Sequence, residues 1–212
     1  MVKITYYLDV VSSWCHYFEP VWERLGKTFG NQLERRWEIT LIPESGLPKS
    51  AEEEDGYYRR SGVITRQQTM LNSGWVDPSL KEYLAPNLVP LACRELGAVG
   101  DAVRLAIAQA GMIEGQRVGD WEVSAEVASK ASGISMETIL EKAQSPEIEA
   151  MARASTAKFH DLGINQRPAF FLESEIEDRA VFSGLIHAEP LEATIRAMIS
   201  DAEAYRSWHA HI

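Results

Sequence analysis

The chain has 212 residues, with 21 Lys+Arg against 31 Asp+Glu and a formal charge of −10. That balance argues against a nucleic-acid surface, because neutralising a phosphate backbone takes clustered Lys and Arg. With 45% hydrophobic and 25% charged residues the composition is globular rather than disordered, collagenous or disulfide-rich, and the length suits a main domain carrying an insertion.

The first residues, Met1 to Asp9, lack the charged, apolar and small-residue zones of a secretory signal. No stretch approaches the roughly 18 apolar residues needed to cross a bilayer, so the expected location is the cytoplasm, with no membrane contact. Cys15 and Cys93 lie in different segments, which leaves no disulfide framework and no multi-cysteine zinc site. Cysteine chemistry here is single-thiol chemistry or borrows a partner.

Ile4 to Val10 is rich in β-branched and aromatic side chains and runs into Ser12-Ser13, which predicts a buried strand and a turn. Phe18, Val21, Trp22, Leu25 and Phe29 then recur at helical spacing. A second strand is predicted over Leu33 to Ile42, stopped by Pro43. This opening is a βαβ unit, which implies parallel pairing through a right-handed crossover. From Glu44 to Ser73 the chain is polar, and the acidic run Glu52 to Asp55 reads as a solvated face or a helix start. From about Pro78 to Leu162 the pattern is helical, with starts at Asp120, Ser135 and Ser145-Pro146 and stops at Gly97, Gly111 and Gly133. Ala169 to Leu172 and Arg179 to Ser183 pattern as a strand pair, and Leu191, Ile195, Met198 and Ile199 form one helical face. The order βαβ, helices, ββα predicts an α/β, thioredoxin-like fold, formed by residues 1–44 and 163–212, with an all-helical insertion at 45–162.

The segment Asp9-Val10-Val11-Ser12-Ser13-Trp14-Cys15-His16 sets Ser12 and Cys15 at the mouth of a helix, where backbone N–H groups and the helix dipole favour an anion, including a thiolate. Each candidate has a plainer alternative. Ser12 suits a helix N-cap, Cys15 a small buried side chain and Cys93 a core position. His16 could tune a thiolate or sit on the surface, and His160 suits the end of a helix. His209 and His211, two apart, do not share a helix face and make no metal site. Trp75, Tyr57 and Tyr58 either wall an aromatic-ligand cleft or seal a joint. Arg59, Arg60 and Arg66 either hold a carboxylate or pair with the acidic run.

The segment at Ser12 resembles the DsbA-like branch of the thioredoxin superfamily, whose FrnE-type members carry Cys-Pro-Trp-Cys there. Trp14 and Cys15 match, Ser13 replaces Pro, and Ser12 takes the place of the nucleophilic cysteine. The likeness continues through Asn87, Ala92, Gly115, Trp121-Glu122 and Leu162-Gly163-Ile164-Asn165-Gln166-Arg167-Pro168-Ala169-Phe170-Phe171, and implies a cis bond at Pro168. Serine at the first position is similar to kappa-class glutathione transferases and 2-hydroxychromene-2-carboxylate isomerases. By that resemblance Ser12 and Cys15 are the catalytic residues, Ser12 activating the sulfur of glutathione or another low-molecular-weight thiol, and Trp14, Arg167, Pro168 and Ser183 bind the ligand, the backbone of Arg167 pairing with the tripeptide. Arg167 itself either recognises an anionic group bidentately or covers the sheet edge. Those enzymes hold the γ-glutamyl end with a Gly-Ser-Asp or Gly-Asn-Asp segment; here Phe182-Ser183-Gly184-Leu185 leaves Ser183 to supply one hydrogen bond. The resemblance implies an enzyme that isomerises or conjugates a small organic acid without a metal, its partners being a small-molecule thiol and that substrate, with a homodimer left open. The alternatives are a FrnE-type oxidoreductase working through Cys15 alone, and a catalytically silent binding module.

Overall fold

The computed structural model describes residues 1–67, 70–184 and 187–209. Its elements are β1 (Val2–Leu8), α1 (Ser13–Phe29), β2 (Leu33–Ile39), α2 (Ala51–Thr65), α3 (Leu84–Glu95), α4 (Ala102–Met112), α5 (Trp121–Ser132), α6 (Met136–Ala143), α7 (Pro146–Asp161), β3 (Ala169–Ser174), β4 (Arg179–Ser183) and α8 (Glu189–His209). Five of these helices lie between α2 and β3, as the thioredoxin-like reading with a helical insertion expects. No described helix is long and apolar enough to cross a membrane. The chain divides into two compact units.

The first unit comprises Met1–Leu8, Phe18–Glu38 and the chain from Phe159 onward. Its mixed four-stranded sheet has the order β2-β1-β3-β4. β1 runs antiparallel to β3, from Val2 opposite Ser174 to Tyr7 opposite Ala169, and β3 runs antiparallel to β4. β1 is buried on both faces save Lys3, which is why its sequence is a continuous apolar run rather than an alternation. On one face the Tyr6 ring stacks on Phe170 at 5.0 Å and meets Trp22 at 5.1 Å, while Phe18 lies 4.9 Å from Phe170. On the other, Tyr7, Phe159 and Ala169 form a cluster with Leu162, Ile164 and Phe171. α8 packs on β1 and β3, burying Leu191, Ile195, Met198 and Ala202.

The second unit comprises Asp9–Tyr17 and Ile39–Lys158. Its centre is α3, buried at every residue from Ala85 to Cys93 and packed against α4, α5 and α6, as a helix apolar all round must be. Ser135 caps α6 by accepting from the Thr138 N–H at 3.2 Å, and Ser50 caps α2 by accepting from Glu53 N–H at 3.1 Å, so the acidic run does begin a helix.

Several boundaries differ from the sequence reading. β1 spans Val2–Leu8 rather than Ile4 to Val10, because the Asp9 carbonyl turns the chain by accepting from Ser12 N–H at 3.1 Å. β2 stops at Ile39, not Ile42: the N–H groups of Leu41 and Ile42 go to Thr156 Oγ1 at 3.0 Å and Asp9 Oδ2 at 3.1 Å instead of a ladder. β3 extends beyond Leu172 to Ser174. Gly111 does not stop α4 but lies inside it, where a Cβ would stand 2.9 Å from Val118 Cγ2; it is a close-contact glycine.

Candidate functional site

Asp9 ends β1 and organises the head of α1. Its buried carboxylate accepts from Val11 N–H at 3.0 Å and from Ile42 N–H at 3.1 Å, while Val10 N–H goes to Asn87 Oδ1 at 3.0 Å. These bonds hold the strand-to-helix turn to Ile42 and α3 within the second unit. Ser12, immediately before α1, is the N-cap: its carbonyl accepts from His16 N–H at 2.9 Å and its Oγ from Cys15 N–H at 3.5 Å. The side-chain bond is long for a cap. Among the described residues the Ser12 hydroxyl proton has no acceptor, although the residue is only 8% exposed.

Ser12 opens on a cavity of about 300 Å³, at the small end of ligand sites. Val11, Ile42 and Leu47 give it apolar walls, and Trp14, Tyr57 and Trp75 aromatic ones; Glu54 and Arg60 supply its charged groups. The Arg60 guanidinium lies over the Tyr57 ring at 5.4 Å. Trp75 Nε1 donates to Tyr58 Oη at 2.6 Å, and burial pushes the Tyr58 phenol far up. Ser13 sits beside the wall, bonded to Ser61 Oγ at 3.3 Å. Of the aromatic residues weighed from sequence, Tyr57 and Trp75 thus face a cavity, and of the arginines Arg60 does. Arg59 lines a different one, with Tyr58 and Gly62.

The thiols are sheltered. Cys15 is 2% exposed on the first turn of α1, Cys93 is fully buried in α3, and no disulfide joins them. Burial pushes the Cys93 thiol up to about 11. His16 is half-buried, its Nδ1 has no hydrogen-bond partner among the described residues, and desolvation lowers its pKa. Sequence reasoning did not single out Glu54, which fell within a run read as a solvated face or a helix start. The signal was present: Glu54, Tyr58 and Ser61 stand four and three apart and are the buried residues of α2.

The remaining candidates belong to the first unit. The Arg167–Pro168 bond is cis, and Pro168 is buried just ahead of β3. The Arg167 guanidinium lies over the Phe159 ring at 5.0 Å. Ser183 donates to the Gln166 carbonyl at 3.1 Å, and Gly184 N–H bonds to the Pro168 carbonyl at 3.0 Å, so the end of β4 braces the proline loop. His160 is at the end of α7, where its carbonyl accepts from Gly163 N–H. Leu185 and His211 lie outside the described residues.

The sheet, the helical insertion and the cis proline before β3 place the molecule in the thioredoxin-fold class. The family model of the DSBA-like thioredoxin domain matches residues 3–196, and the chain belongs to that family, whose members are thiol–disulfide oxidoreductases and isomerases. Among solved structures it is similar to the cytosolic disulfide reductase DsbM from Pseudomonas aeruginosa, with TM-score 0.71 and 17% identity over 97% of this chain and 99% of that one. A structure of that protein with GSH matches with TM-score 0.69 over the same shares at 17% identity. Pseudomonas aeruginosa DsbA matches with TM-score 0.59 and 13% identity over 97% and 86%. No curated protein matches.

Proposed function

We propose that the protein is a thiol-dependent enzyme in which an external low-molecular-weight thiol, glutathione as the first choice, sets its sulfur against the Ser12 hydroxyl and attacks or isomerises a small unsaturated or aromatic organic acid. The observation that carries this reading is the Ser12 hydroxyl itself: it stands at the helix N-terminus, its proton has no acceptor among the described residues, and it opens on a cavity with aromatic walls. A hydroxyl does not ionise near neutral pH, but as an oriented donor beside a helix N-terminus it stabilises a thiolate. Arg60 is placed for the carboxylate of an organic acid. The glutathione in the DsbM structure supports the choice of thiol, and that protein's cytosolic description supports a cytoplasmic location.

Calorimetry with glutathione tests this. Ser12→Ala should weaken binding of the thiolate about ten- to a hundredfold, the loss of one hydrogen bond to a charged group, about 1.5–3 kcal/mol. Equal affinity for wild type and a folded Ser12→Ala protein would remove Ser12 from the site. The alternative of monothiol exchange through Cys15 is opposed by its burial. Ser12→Cys restores the Cys-x-x-Cys spacing and is expected to gain turnover on a model disulfide that the wild type leaves intact; wild-type turnover abolished by Cys15→Ala would favour the oxidoreductase reading instead.

A further inference from the structure

Glu54 is the buried carboxyl of the Ser12 cavity. It is the fourth residue of α2, is 5% exposed and lines the same space as Ser12, Trp14 and Arg60. Glu54 shares the buried stripe of α2 with Tyr58, whose oxygen accepts from Trp75 Nε1 at 2.6 Å. Among the described residues no ion pair neutralises Glu54. A buried, unpaired carboxyl on the wall of a site for a protic ligand is built for proton transfer.

We propose that Glu54 is the proton acceptor of this cavity, taking the S–H proton of a thiol bound at Ser12 and returning it when the sulfur leaves. The proposal rests on the thiol-dependent reading above. In the step the S–H bond breaks, its electron pair stays on sulfur, and an O–H bond forms on Glu54; nothing is oxidised or reduced. One negative charge moves from Glu54 to sulfur, so the thiolate forms beside a neutral acid and not against a second anion, with the helix N-terminus as its positive partner and Arg60 left to the substrate carboxylate.

The surroundings of Glu54 suit the task. Burial, first, and then Asp55 and Glu53 on its own helix raise its pKa, against the lowering effect of Tyr58, and the result is about 7. From the other elements it faces Tyr83 at the head of α3 and, through Tyr58, Tyr17 of α1. The lining residues Val11, Ser12, Ser13 and Trp14, and Ile42, Gly46, Leu47 and Pro48, carry no ionisable side chain; Arg60 is the other charged group of the wall. A thiol with an ordinary pKa near 8.5 is about 10⁴-fold too weak an acid for a carboxylate at its usual value, but only about 30-fold for one near 7. A helix N-terminus and the Ser12 hydroxyl can close that remaining gap.

The test measures proton release to the buffer when glutathione binds the full-length protein at about pH 7.5, by calorimetry in buffers of different ionisation enthalpy, together with the ultraviolet thiolate absorbance of the bound tripeptide. Wild type, Glu54→Gln and Glu54→Asp are compared, with S-methylglutathione as the ligand that has no thiol proton to give. Glu54→Gln cannot take a proton, and as a neutral group it leaves the bound thiolate at least as stable. Each thiolate formed should release about one proton to the buffer with Glu54→Gln and about a quarter of one with wild type, about a fourfold difference, with Glu54→Asp between them and the affinity for S-methylglutathione within about twofold. Equal proton release per thiolate in wild type and Glu54→Gln overturns the role of Glu54 and leaves the role of Ser12 standing. Failure of wild type to bind either tripeptide overturns both.

Discussion

Asp9→Ala is expected to lower the unfolding free energy by about 2–6 kcal/mol, from the loss of an acceptor to two N–H groups at about 1–3 kcal/mol each. Asp9 is 2% exposed, and its two carboxylate oxygens hold Val11 N–H and Ile42 N–H at 3.0 and 3.1 Å. Alanine leaves both donors without a partner in a place where water cannot replace it. Asp9→Asn keeps one acceptor and turns an amide N–H₂ toward the other donor, so its cost should be intermediate. Urea unfolding monitored by tryptophan fluorescence gives the free energies, and an unchanged m-value would show that the native state and not the unfolded ensemble has changed. Because the same carboxylate shapes the turn carrying Ser12, affinity for glutathione should fall with stability. A loss below about 0.5 kcal/mol, the ordinary scatter of surface substitutions, would mean that the Val10 N–H bond to Asn87 holds the turn without Asp9.

The elements with a strong period were legible from sequence. β1 and α1 were found because a continuous apolar run next to a 3.6-residue stripe has few other solutions, and the boundaries of β4 came out at Arg179–Ser183 as read. What failed were the features set by distant partners. No local signal tells that the Leu41 and Ile42 N–H groups leave the strand ladder for Thr156 and Asp9, residues far away in the chain. Gly111 looked like a stop because glycine has two uses, and only the packing of Val118 shows that close approach is the one in force. The cis bond at Pro168 came from family resemblance, since a cis X-Pro bond has no signature of its own.

The candidate site was half legible. Position in the fold pointed to Ser12 and Trp14, but on α2 the sequence could not separate Arg59 from Arg60 or Tyr57 from Tyr58. Neighbours on a helix are about 100° apart, so a run of polar residues conceals which face is turned inward. The structure resolves it: Glu54, Tyr57 and Arg60, spaced by three, line the Ser12 cavity, while Arg59 opens elsewhere. Charge was the misleading cue. Four consecutive acids read as a solvated face or a helix start; they do start a helix, which carries one of them inward because Tyr58 and Ser61 share its stripe.

The buried acid gives stability a pH dependence of unusual sign. For Glu54 the folded state raises the pKa from 4.5 to about 7, with burial as the main cause. Between those values the native state binds more protons than the unfolded chain, so stability falls as pH rises. The contribution is fully present below about pH 4.5 and lost by the time pH has passed about 7, a difference of about 3 kcal/mol. Most other shifted carboxyls work the opposite way. Glu23, Glu53, Asp77, Glu82, Glu126 and Glu175 have lowered values, and their contributions disappear only as pH falls below the ordinary carboxylate range. His16 does overlap the window, since burial lowers its pKa and the fold loses stability as pH falls below 6.5. The two are separated by difference: urea unfolding of wild type and Glu54→Gln at a series of pH values leaves His16 in common. The stability of wild type relative to Glu54→Gln should decline by about 3 kcal/mol from about pH 4.5 to about pH 7.5 and then level off. A flat difference would place the Glu54 titration outside this range, with a carboxylate already ionised in the cavity near neutral pH and no proton vacancy matched to a thiol.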